Sequence, residues 1–276
     1  MVPIDNSDEA MTIPIALTIA GSDSSGGAGI QADLKTFAAF GVYGASVITA
    51  LTAQNTTGVS AVHQVPADFV TAQIDAVFAD LDVKAVKIGM VGQLATIEAI
   101  ANGLKRWSPT NIVLDPVMVA TSGDRLLALE AVEALRQKLI PRAALVTPNL
   151  PEAAALLDEP VACSEAAIKH QGQRLISMGC RAVLIKGGHA SGPESIDYLF
   201  IGDDVIALAS PRLATQNTHG TGCSLSSAIA AGLARGEDLV TAVRAAKAWI
   251  NAAIAAADRL KVGRGFGPIH HFHGFY

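Results

Sequence analysis

The sequence is poor in cysteine and in aromatic residues, and it contains no block of basic residues. Its three cysteines, Cys163, Cys180 and Cys223, form no CxxC pair, so neither a zinc site nor a disulfide framework is indicated. A reducing, cytoplasmic compartment is therefore the simplest expectation. The formal net charge is −5, whereas binding to a phosphate backbone requires a basic face. We therefore expect no nucleic acid among the partners.

A long hydrophobic run is also missing. Residues 13–20 are apolar, but Gly21, Ser22 and Asp23 follow at once, and no run approaches the ~18 apolar residues that a membrane helix needs. The first ten residues hold three acidic residues and no basic one, so they lack the positive start of a signal peptide. We expect no membrane partner, and we expect residues 1–12 to form a disordered leader.

What the sequence does contain is apolar material for a large core. Hydrophobic residues make up 50% and charged residues 16%, and no linker or shift in composition divides the chain. Apolar β-branched runs alternate with segments of helical periodicity, which predicts parallel βαβ units in one doubly wound α/β domain over residues 1–276. The predicted strands are residues 13–20, 46–53, 83–88, 111–114, 144–146, 182–185, and a hairpin of 198–201 with 205–208. The predicted helices are residues 30–40, 67–80, 94–107, 129–139, 152–157, 164–178, one that follows the turn at 217–224 and runs to about 235, and one from 239 to about 260.

Polar residues and glycines follow several of the predicted strands. In a doubly wound sheet, ligands bind outside the carboxyl ends of the strands, so these loops predict a site along one edge. The glycine-rich turn at residues 217–224 precedes a late helix, whose first N–H groups have no partner inside the helix. Because Gly220 and Gly222 lack a Cβ, an anion can approach this backbone closely, with Cys223 beside it. Locally, a capped helix with small residues for close packing explains the turn equally well.

The common nucleotide-binding motifs are absent. Residues 27–32 fit the pattern GxGxxG/A, but a dinucleotide-binding fold also needs an acidic residue about 20 positions on, and residues 46–55 contain none. A Walker A motif is excluded because Lys35-Thr36 lacks the preceding glycine and Lys186 is followed by glycine. A nucleotide site in this chain would therefore have to use a different phosphate-binding motif.

Nine motifs together resemble the hydroxymethylpyrimidine/phosphomethylpyrimidine kinases of thiamine biosynthesis, within the ribokinase-like superfamily. They are Ala16-Leu-Thr-Ile-Ala-Gly-Ser-Asp23, Ser25-Gly-Gly-Ala-Gly-Ile-Gln-Ala-Asp-Leu-Lys-Thr36, Ala53-Gln-Asn-Thr56, Lys87-Ile-Gly-Met-Val91, Asp115-Pro-Val-Met118, Thr147-Pro-Asn-Leu-Pro-Glu-Ala153, Lys186-Gly-Gly-His189 and residues 217–223, with the ending Gly267-Pro-Ile-His-His-Phe-His273.

The resemblance implies a fold, a reaction and partners. The fold is a three-layer αβα sandwich with a central, mostly parallel sheet. The reaction is ATP-dependent phosphorylation of 4-amino-5-hydroxymethyl-2-methylpyrimidine to its monophosphate and then to the diphosphate. The implied cofactors are ATP and Mg²⁺, and the implied assembly is a homodimer.

The same resemblance assigns candidate residues. The catalytic set is Gly220, Thr221, Gly222 and Cys223; the pyrimidine-binding set is Gly21, Asp33, Gln54, Met90 and Val117; and the ATP and Mg²⁺ set is Asp115, Asn149, Glu152, Lys186, Thr215 and Lys247, with Asp115 and Glu152 toward the metal. A helix N-terminus lowers a thiol pKa, so Cys223 is expected to accept the alcohol proton as a thiolate. The alternative is that Cys223 only packs while the backbone N–H groups act.

Two other functions remain open at this point. A pyridoxine- or pyridoxal-type kinase shares the fold and a similar polar pocket. A small-molecule-binding regulator that has lost activity is the other alternative, although it has no need for the phosphoryl-transfer residues. The histidines of residues 270–273 have no accompanying carboxylate or cysteine, so a packed or exposed tail is favoured over a metal site.

Overall fold

The computed structural model describes residues 12–118, 129–189 and 192–275. The predicted leader therefore lies outside the described residues, apart from Thr12. The strands are β1 (Ile15–Ala20), β2 (Tyr43–Ile48), β3 (Ala50–Asn55), β4 (Gly58–Gln64), β5 (Val83–Ile88), β6 (Ile112–Leu114), β7 (Leu145–Val146), β8 (Ala182–Ile185), β9 (Glu194–Ile201) and β10 (Asp204–Pro211). The helices are α1 (Gly29–Ala39), α2 (Ala67–Asp80), α3 (Leu94–Trp107), α4 (Leu129–Ala134), α5 (Leu150–Leu157), α6 (Glu165–Ile176), α7 (Thr221–Ala234) and α8 (Leu239–Ala255).

Eight strands form one sheet in the order β10-β9-β8-β7-β6-β5-β1-β2. All neighbours from β2 to β8 pair in parallel, and β9 is antiparallel to both β8 and β10. Successive side chains of a strand point to opposite faces. In β6, Ile112 and Leu114 accordingly pack toward α2–α6, whereas Val113 packs toward α1, α7 and α8. The mostly parallel three-layer αβα sandwich is thus confirmed.

The β3–β4 hairpin departs from the sequence-based expectation. One strand was expected over residues 46–53, but β2 ends at Ile48 and β3 pairs antiparallel with β4 in a separate two-stranded sheet. The turn at Thr56-Thr57 lacks the Asn-Gly or Asp-Gly pair that marks a tight hairpin, so no local turn motif indicated this hairpin. The hairpin matters for function because β3 carries Thr52 and Gln54.

Helix α8 with its following turn spans Leu239–Arg259 and is long and apolar enough, by length and composition alone, to cross a bilayer. The sequence-based expectation concerned an unbroken apolar run, and Arg244 and Lys247 interrupt this helix, so that expectation is not contradicted. In the structure the buried residues of α8, Ala242, Val243, Ala246 and Ile250 among them, pack with α7 in one core cluster. The apolar face of α8 is thus used inside the domain.

Candidate active site

A cavity of about 650 Å³ opens at the carboxyl ends of the parallel strands. It is bounded by the loops after β1, β5, β6, β7 and β8, by the β3–β4 hairpin, and by the turn before α7. Most of the predicted site residues line it: Gly21, Gln54, Met90, Asp115, Val117, Asn149, Glu152, Lys186, Gly220, Thr221, Gly222, Cys223 and Lys247. The topology thus brings together groups from both ends of the chain.

The turn before α7 requires glycine at its N-cap. Gly220 has φ +80°, a left-handed conformation that costs an L-residue energy. A Cβ at this position would lie 1.9 Å from the carbonyl oxygen of Gly27. The first intrahelical bond runs from Ser224 N to Gly220 O, so the N–H groups of Gly222 and Cys223 precede the helical ladder. The turn therefore has the backbone geometry of an anion hole.

A positive charge lies against this turn. A Cβ on Gly222 would be 3.3 Å from Lys186 Nζ. Lys186 Nζ donates to Asp115 Oδ1 at 2.8 Å and lies 3.8 Å from Glu152 Oε2. Burial lowers the pKa of Lys186, but the two carboxylates outweigh burial and raise it, so the ammonium stays charged. Together the turn and Lys186 can neutralise a phosphoryl group.

The Asn149-x-x-Glu152 motif is a capping box at the start of α5. Asn149 Oδ1 accepts from Glu152 N at 2.8 Å, and Glu152 Oε2 accepts from Asn149 N at 2.7 Å. Burial raises the pKa of Glu152 to about 7, with Lys186 lowering it and Asp115 raising it. The motif therefore has a structural role in α5 as well as a carboxylate at the cavity.

The carboxylates suit Mg²⁺ only as a partial ligand set. Among the described residues, no group of three or more His, Cys, Asp or Glu side chains could hold a metal ion. Asp115 and Glu152 offer hard oxygen ligands, and Mg²⁺ commonly binds to one or two carboxylates together with waters and substrate phosphates. The donor set fits Mg²⁺ that arrives with a nucleotide.

Cys223 is partly exposed at the cavity, but its thiol is not activated in the way that the sequence suggests. Burial raises its pKa to about 11; Lys87 lowers it, while Asp33 and Asp115 raise it, and a hydrogen bond from the Gly29 backbone lowers it. The expected lowering by the helix terminus was therefore wrong, because burial and two carboxylates outweigh it.

Asp33 lies beneath the cavity and does not line it. It is fully buried with Lys87, whose Nζ donates to both carboxylate oxygens at 2.8 Å. Thr18 Oγ1 and Ser227 Oγ also donate to Asp33, at 2.6 and 2.7 Å. These four bonds occupy the carboxylate from several directions, so the geometry makes Asp33 a counter-ion of Lys87 rather than a direct pyrimidine ligand.

Lys247 and Thr215 occupy different settings. Lys247 is only 8% exposed, lines the cavity and pairs with Asp197 at 2.7 Å. Asp197 also accepts from Gly187 N at 2.8 Å, which ties α8 to the loop after β8. Thr215, in contrast, is not among the residues that line the cavity, and its hydroxyl donates to Asp258.

Asp23 and His219 were not among the candidate residues assigned from the sequence. Both are buried and line the cavity, with His219 Nε2 2.8 Å from Asp23 Oδ2. Asp23 also accepts from Ser25 N and Ala28 N, each at 2.8 Å. Burial raises the pKa of Asp23, but these hydrogen bonds hold it far below its usual range. The Asp-x-Ser turn after β1 was the available indication.

Residues 263–269, which we call the C-terminal strap, join the hairpin to the anion-hole turn. Thr56 Oγ1 accepts from the N–H groups of residues 264 and 265, at 3.2 Å each. Farther along, Gly267 N donates to Asn217 Oδ1 at 3.1 Å, and His219 N donates to Gly267 O at 3.0 Å. The strap therefore fixes two parts of the cavity wall relative to each other.

The tail beyond the strap is packed. His271 is buried, its Nε2 lies 2.9 Å from Ser224 Oγ, and burial lowers its pKa to about 4. His273 Nδ1 lies 3.0 Å from the carbonyl oxygen of His270. The histidines of this tail thus serve packing against α7 and α8.

Comparison with known proteins identifies a family of kinases. The phosphomethylpyrimidine kinase family model matches residues 23–270. A hydroxymethylpyrimidine/phosphomethylpyrimidine kinase of Rhizobium meliloti (strain 1021) is 60% identical over 262 residues, covering 95% of this chain and 98% of the relative. The crystal structure of a phosphomethylpyrimidine kinase from Clostridium difficile 630 is 45% identical, with a TM-score of 0.78, covering 88% of this chain and 100% of that one. An ADP complex of Bacillus subtilis pyridoxal kinase is 36% identical, with a TM-score of 0.88, covering 94% and 98%.

Proposed function

The chain belongs to the phosphomethylpyrimidine kinase family, and from this premise we propose that it uses ATP to phosphorylate 4-amino-5-hydroxymethyl-2-methylpyrimidine and then the resulting monophosphate, in thiamine biosynthesis. The observation that carries the proposal is one cavity that holds both halves of the reaction. Gln54, Met90 and Val117 line it together with Lys186 and the turn at Gly220. Such a cavity can hold a small aromatic alcohol and a triphosphate side by side.

Phosphoryl transfer depends mainly on positioning and on neutralising charge on the transferred group. We assign that task to the N–H groups of Gly222 and Cys223 and to the Lys186 ammonium, which lies against the same turn. The hydroxymethyl oxygen bonds to the γ-phosphorus while the bond from that phosphorus to the β–γ bridging oxygen breaks. ADP leaves with the electron pair.

Asp115 and Glu152 would hold Mg²⁺ through their carboxylates, in part by way of water. The ion would supply charge neutralisation to the phosphates. Lys247 lines the cavity, where its ammonium is held by Asp197 at 2.7 Å, and we propose that it contacts the nucleotide. Asn149 keeps Glu152 in position through the capping box.

We propose that Cys223 Sγ accepts the alcohol proton in the fraction of molecules that carry the thiolate. With a pKa of about 11, that fraction is small near neutrality and grows as the pH rises. The second transfer differs, because a phosphate monoester is already ionised above about pH 6 and has no proton to remove. The base is therefore needed for the first phosphorylation and not for the second.

A pyridoxal-type kinase activity is the second candidate. The observation in its favour is the TM-score of 0.88 with the Bacillus subtilis pyridoxal kinase, against 0.78 with the Clostridium difficile enzyme. The 60% identity to the Rhizobium meliloti relative favours the pyrimidine. We accordingly propose the pyrimidine as the preferred substrate.

A coupled assay for ADP production tests these proposals. Hydroxymethylpyrimidine and its monophosphate are expected to support turnover, with kcat/KM above that for pyridoxine. An Asp115→Asn variant serves as the control for contaminating kinases and is expected to be inactive. A higher kcat/KM with pyridoxine would reverse the assignment, and no turnover with any of the three would favour a regulator.

Assembly and compartment complete the proposal. We propose a homodimer, supported by exposed apolar side chains near the hairpin, with Leu51 47%, Val62 43% and Phe69 60% exposed. Light scattering on the purified chain measures its mass in solution, and the mass of a monomer would contradict the proposed dimer.

We also propose a cytoplasmic location, which the three free cysteines favour, with no role for nucleic acid or membrane.

A further inference from the structure

The side-chain amide of Gln54 lies between two polar neighbours. Its amide nitrogen is 3.4 Å from His219 Nε2, and its oxygen Oε1 is 3.1 Å from Thr52 Oγ1. Thr52 Oγ1 is also 2.8 Å from the carbonyl oxygen of Ser22. Because an amide can be turned about its last bond without changing shape, the hydrogen-bond partners decide its orientation.

On the first side, Asp23 fixes the proton of the histidine. An ionised carboxylate can only accept hydrogen bonds, and Asp23 Oδ2 lies 2.8 Å from His219 Nε2. His219 Nε2 must therefore carry hydrogen. An amide nitrogen placed against it would set donor against donor.

On the second side, the hydroxyl of Thr52 has one hydrogen. The shorter contact, to the Ser22 carbonyl oxygen at 2.8 Å, uses it, because a carbonyl can only accept. The oxygen of Thr52 is then free only to accept, so an amide oxygen against it would set acceptor against acceptor. Turning the Gln54 amide over removes both conflicts at once.

We infer that Asp23 and His219 on one side, and Ser22 and Thr52 on the other, hold Gln54 with Oε1 toward His219 and its NH₂ toward Thr52. His219 Nε2–H is shared between Asp23 and Gln54 in a three-centre bond. The amide then retains one lone pair on Oε1 and one N–H for a ligand. That fixed acceptor–donor pair matches the exocyclic amino group and adjacent ring nitrogen of an aminopyrimidine. His219 is thus a positioning residue for specificity.

The inference rests on the proposed function, and it makes a prediction about selectivity rather than about rate. His219 adjoins Gly220, so its loss also disturbs the anion hole and lowers turnover on every substrate. If only the orientation of Gln54 is lost, in contrast, kcat/KM falls for the substrate that carries the amino group and not for the analogue without it. The ratio of kcat/KM for hydroxymethylpyrimidine to that for its analogue without the 4-amino group separates the two effects.

The experiment compares the wild type with His219→Phe, His219→Gln and Thr52→Val. The wild type is expected to prefer the amino substrate by at least about tenfold, the worth of one buried hydrogen bond. His219→Phe and Thr52→Val are each expected to reduce that preference by about tenfold. His219→Gln, which can place an N–H near the position of Nε2, is expected to retain most of it. His170→Phe, on the exposed side of α6, is the matched control and is expected to leave the ratio unchanged.

Thr52→Val tests the same point away from the anion-hole turn, so it decides the matter if His219→Phe does not fold. An unchanged ratio in both variants, or an equal loss on both substrates, would overturn the inference. Wild-type turnover with neither pyrimidine would refute the proposed function and this inference with it, whereas turnover with an unchanged ratio refutes only the inference.

Discussion

Replacing Asp33 with Asn should destabilise the protein by about 3–5 kcal/mol at pH 7, the typical cost of breaking a buried ion pair on one side. The pair with Lys87 is fully buried, with two contacts of 2.8 Å. Asparagine keeps the size of the side chain, but its NH₂ replaces one of the two oxygens that accept from Thr18 and Ser227. The change therefore removes the charge and one acceptor. The ammonium of Lys87 would then be buried without a counter-ion.

The pH dependence of the free energy of unfolding provides a second, independent test of the buried pair. The neighbouring carboxylates, Asp33 first, outweigh burial and raise the pKa of Lys87, so its stabilising contribution is present throughout the neutral range and is lost only as the pH rises through that raised pKa. In Asp33→Asn, burial dominates and the folded-state pKa of Lys87 falls below its unfolded value. The unfolded chain then binds more protons, so the variant should gain stability between about pH 7 and pH 10.

Urea unfolding monitored by circular dichroism and by fluorescence measures both effects. The two tryptophans lie in different layers, Trp107 with Phe78 and Trp249 with Phe40, so coincident transitions support a two-state analysis. Glu165→Gln, which neutralises an exposed pair with Lys169, is the matched control and should cost under about 0.5 kcal/mol.

The double variant Asp33→Asn/Lys87→Met removes both charges and should recover much of the loss, because replacing a buried pair by uncharged groups is often close to neutral. An Asp33→Asn variant within about 1 kcal/mol of the wild type, or one without the rise in stability toward pH 10, would refute the reasoning.

Three further changes probe the site. Gly220→Ala should cost about 1–3 kcal/mol of stability and at least about 100-fold in kcat, since its Cβ would meet Gly27 O at 1.9 Å; normal turnover would argue against the anion hole. Cys223→Ala should lower kcat for the alcohol substrate about 100-fold and abolish the rise of that kcat above pH 7, with little effect on kcat for the monophosphate. Equal losses of kcat on both substrates would exclude Cys223 as the base. Glu152→Gln keeps both halves of the capping box, so it should raise the Mg²⁺ concentration for half-maximal rate about tenfold while the free energy of unfolding stays within about 1 kcal/mol; an unchanged Mg²⁺ requirement would limit Glu152 to capping.

The regular elements were predictable where local chemistry marks their ends. The bounds of α2, β5, α3 and β8 agree with the sequence-based prediction, and Pro66 and Gly89 mark two of those ends. The β9–β10 hairpin was also confirmed around residues 202–203. The β3–β4 hairpin was missed because no typical turn pair separates its strands.

The partners inside the site were less predictable, because they depend on residues far apart in the chain. Lys247 was assigned to the nucleotide by the resemblance alone, and nothing in the local sequence indicates that Asp197, 50 positions earlier, holds it at 2.7 Å. Asp33 and Lys87 are separated by 54 positions. The Asn149-x-x-Glu152 pattern could be identified locally, but only the structure shows that capping and a cavity-facing carboxylate are combined in one motif. The family and its kinase activity were confirmed.

The C-terminal strap has a consequence for biosynthesis. It contacts the hairpin turn at Thr56, more than 200 positions earlier, as well as the turn before α7. Contacts of such long sequence separation form late, since they close the largest loops. On a ribosome the chain emerges from its N-terminus, so β1 to α8 can assemble before residues 263–269 are available. The cavity walls are then joined last, and a nascent chain gains its completed kinase site only after residues 263–269 have emerged.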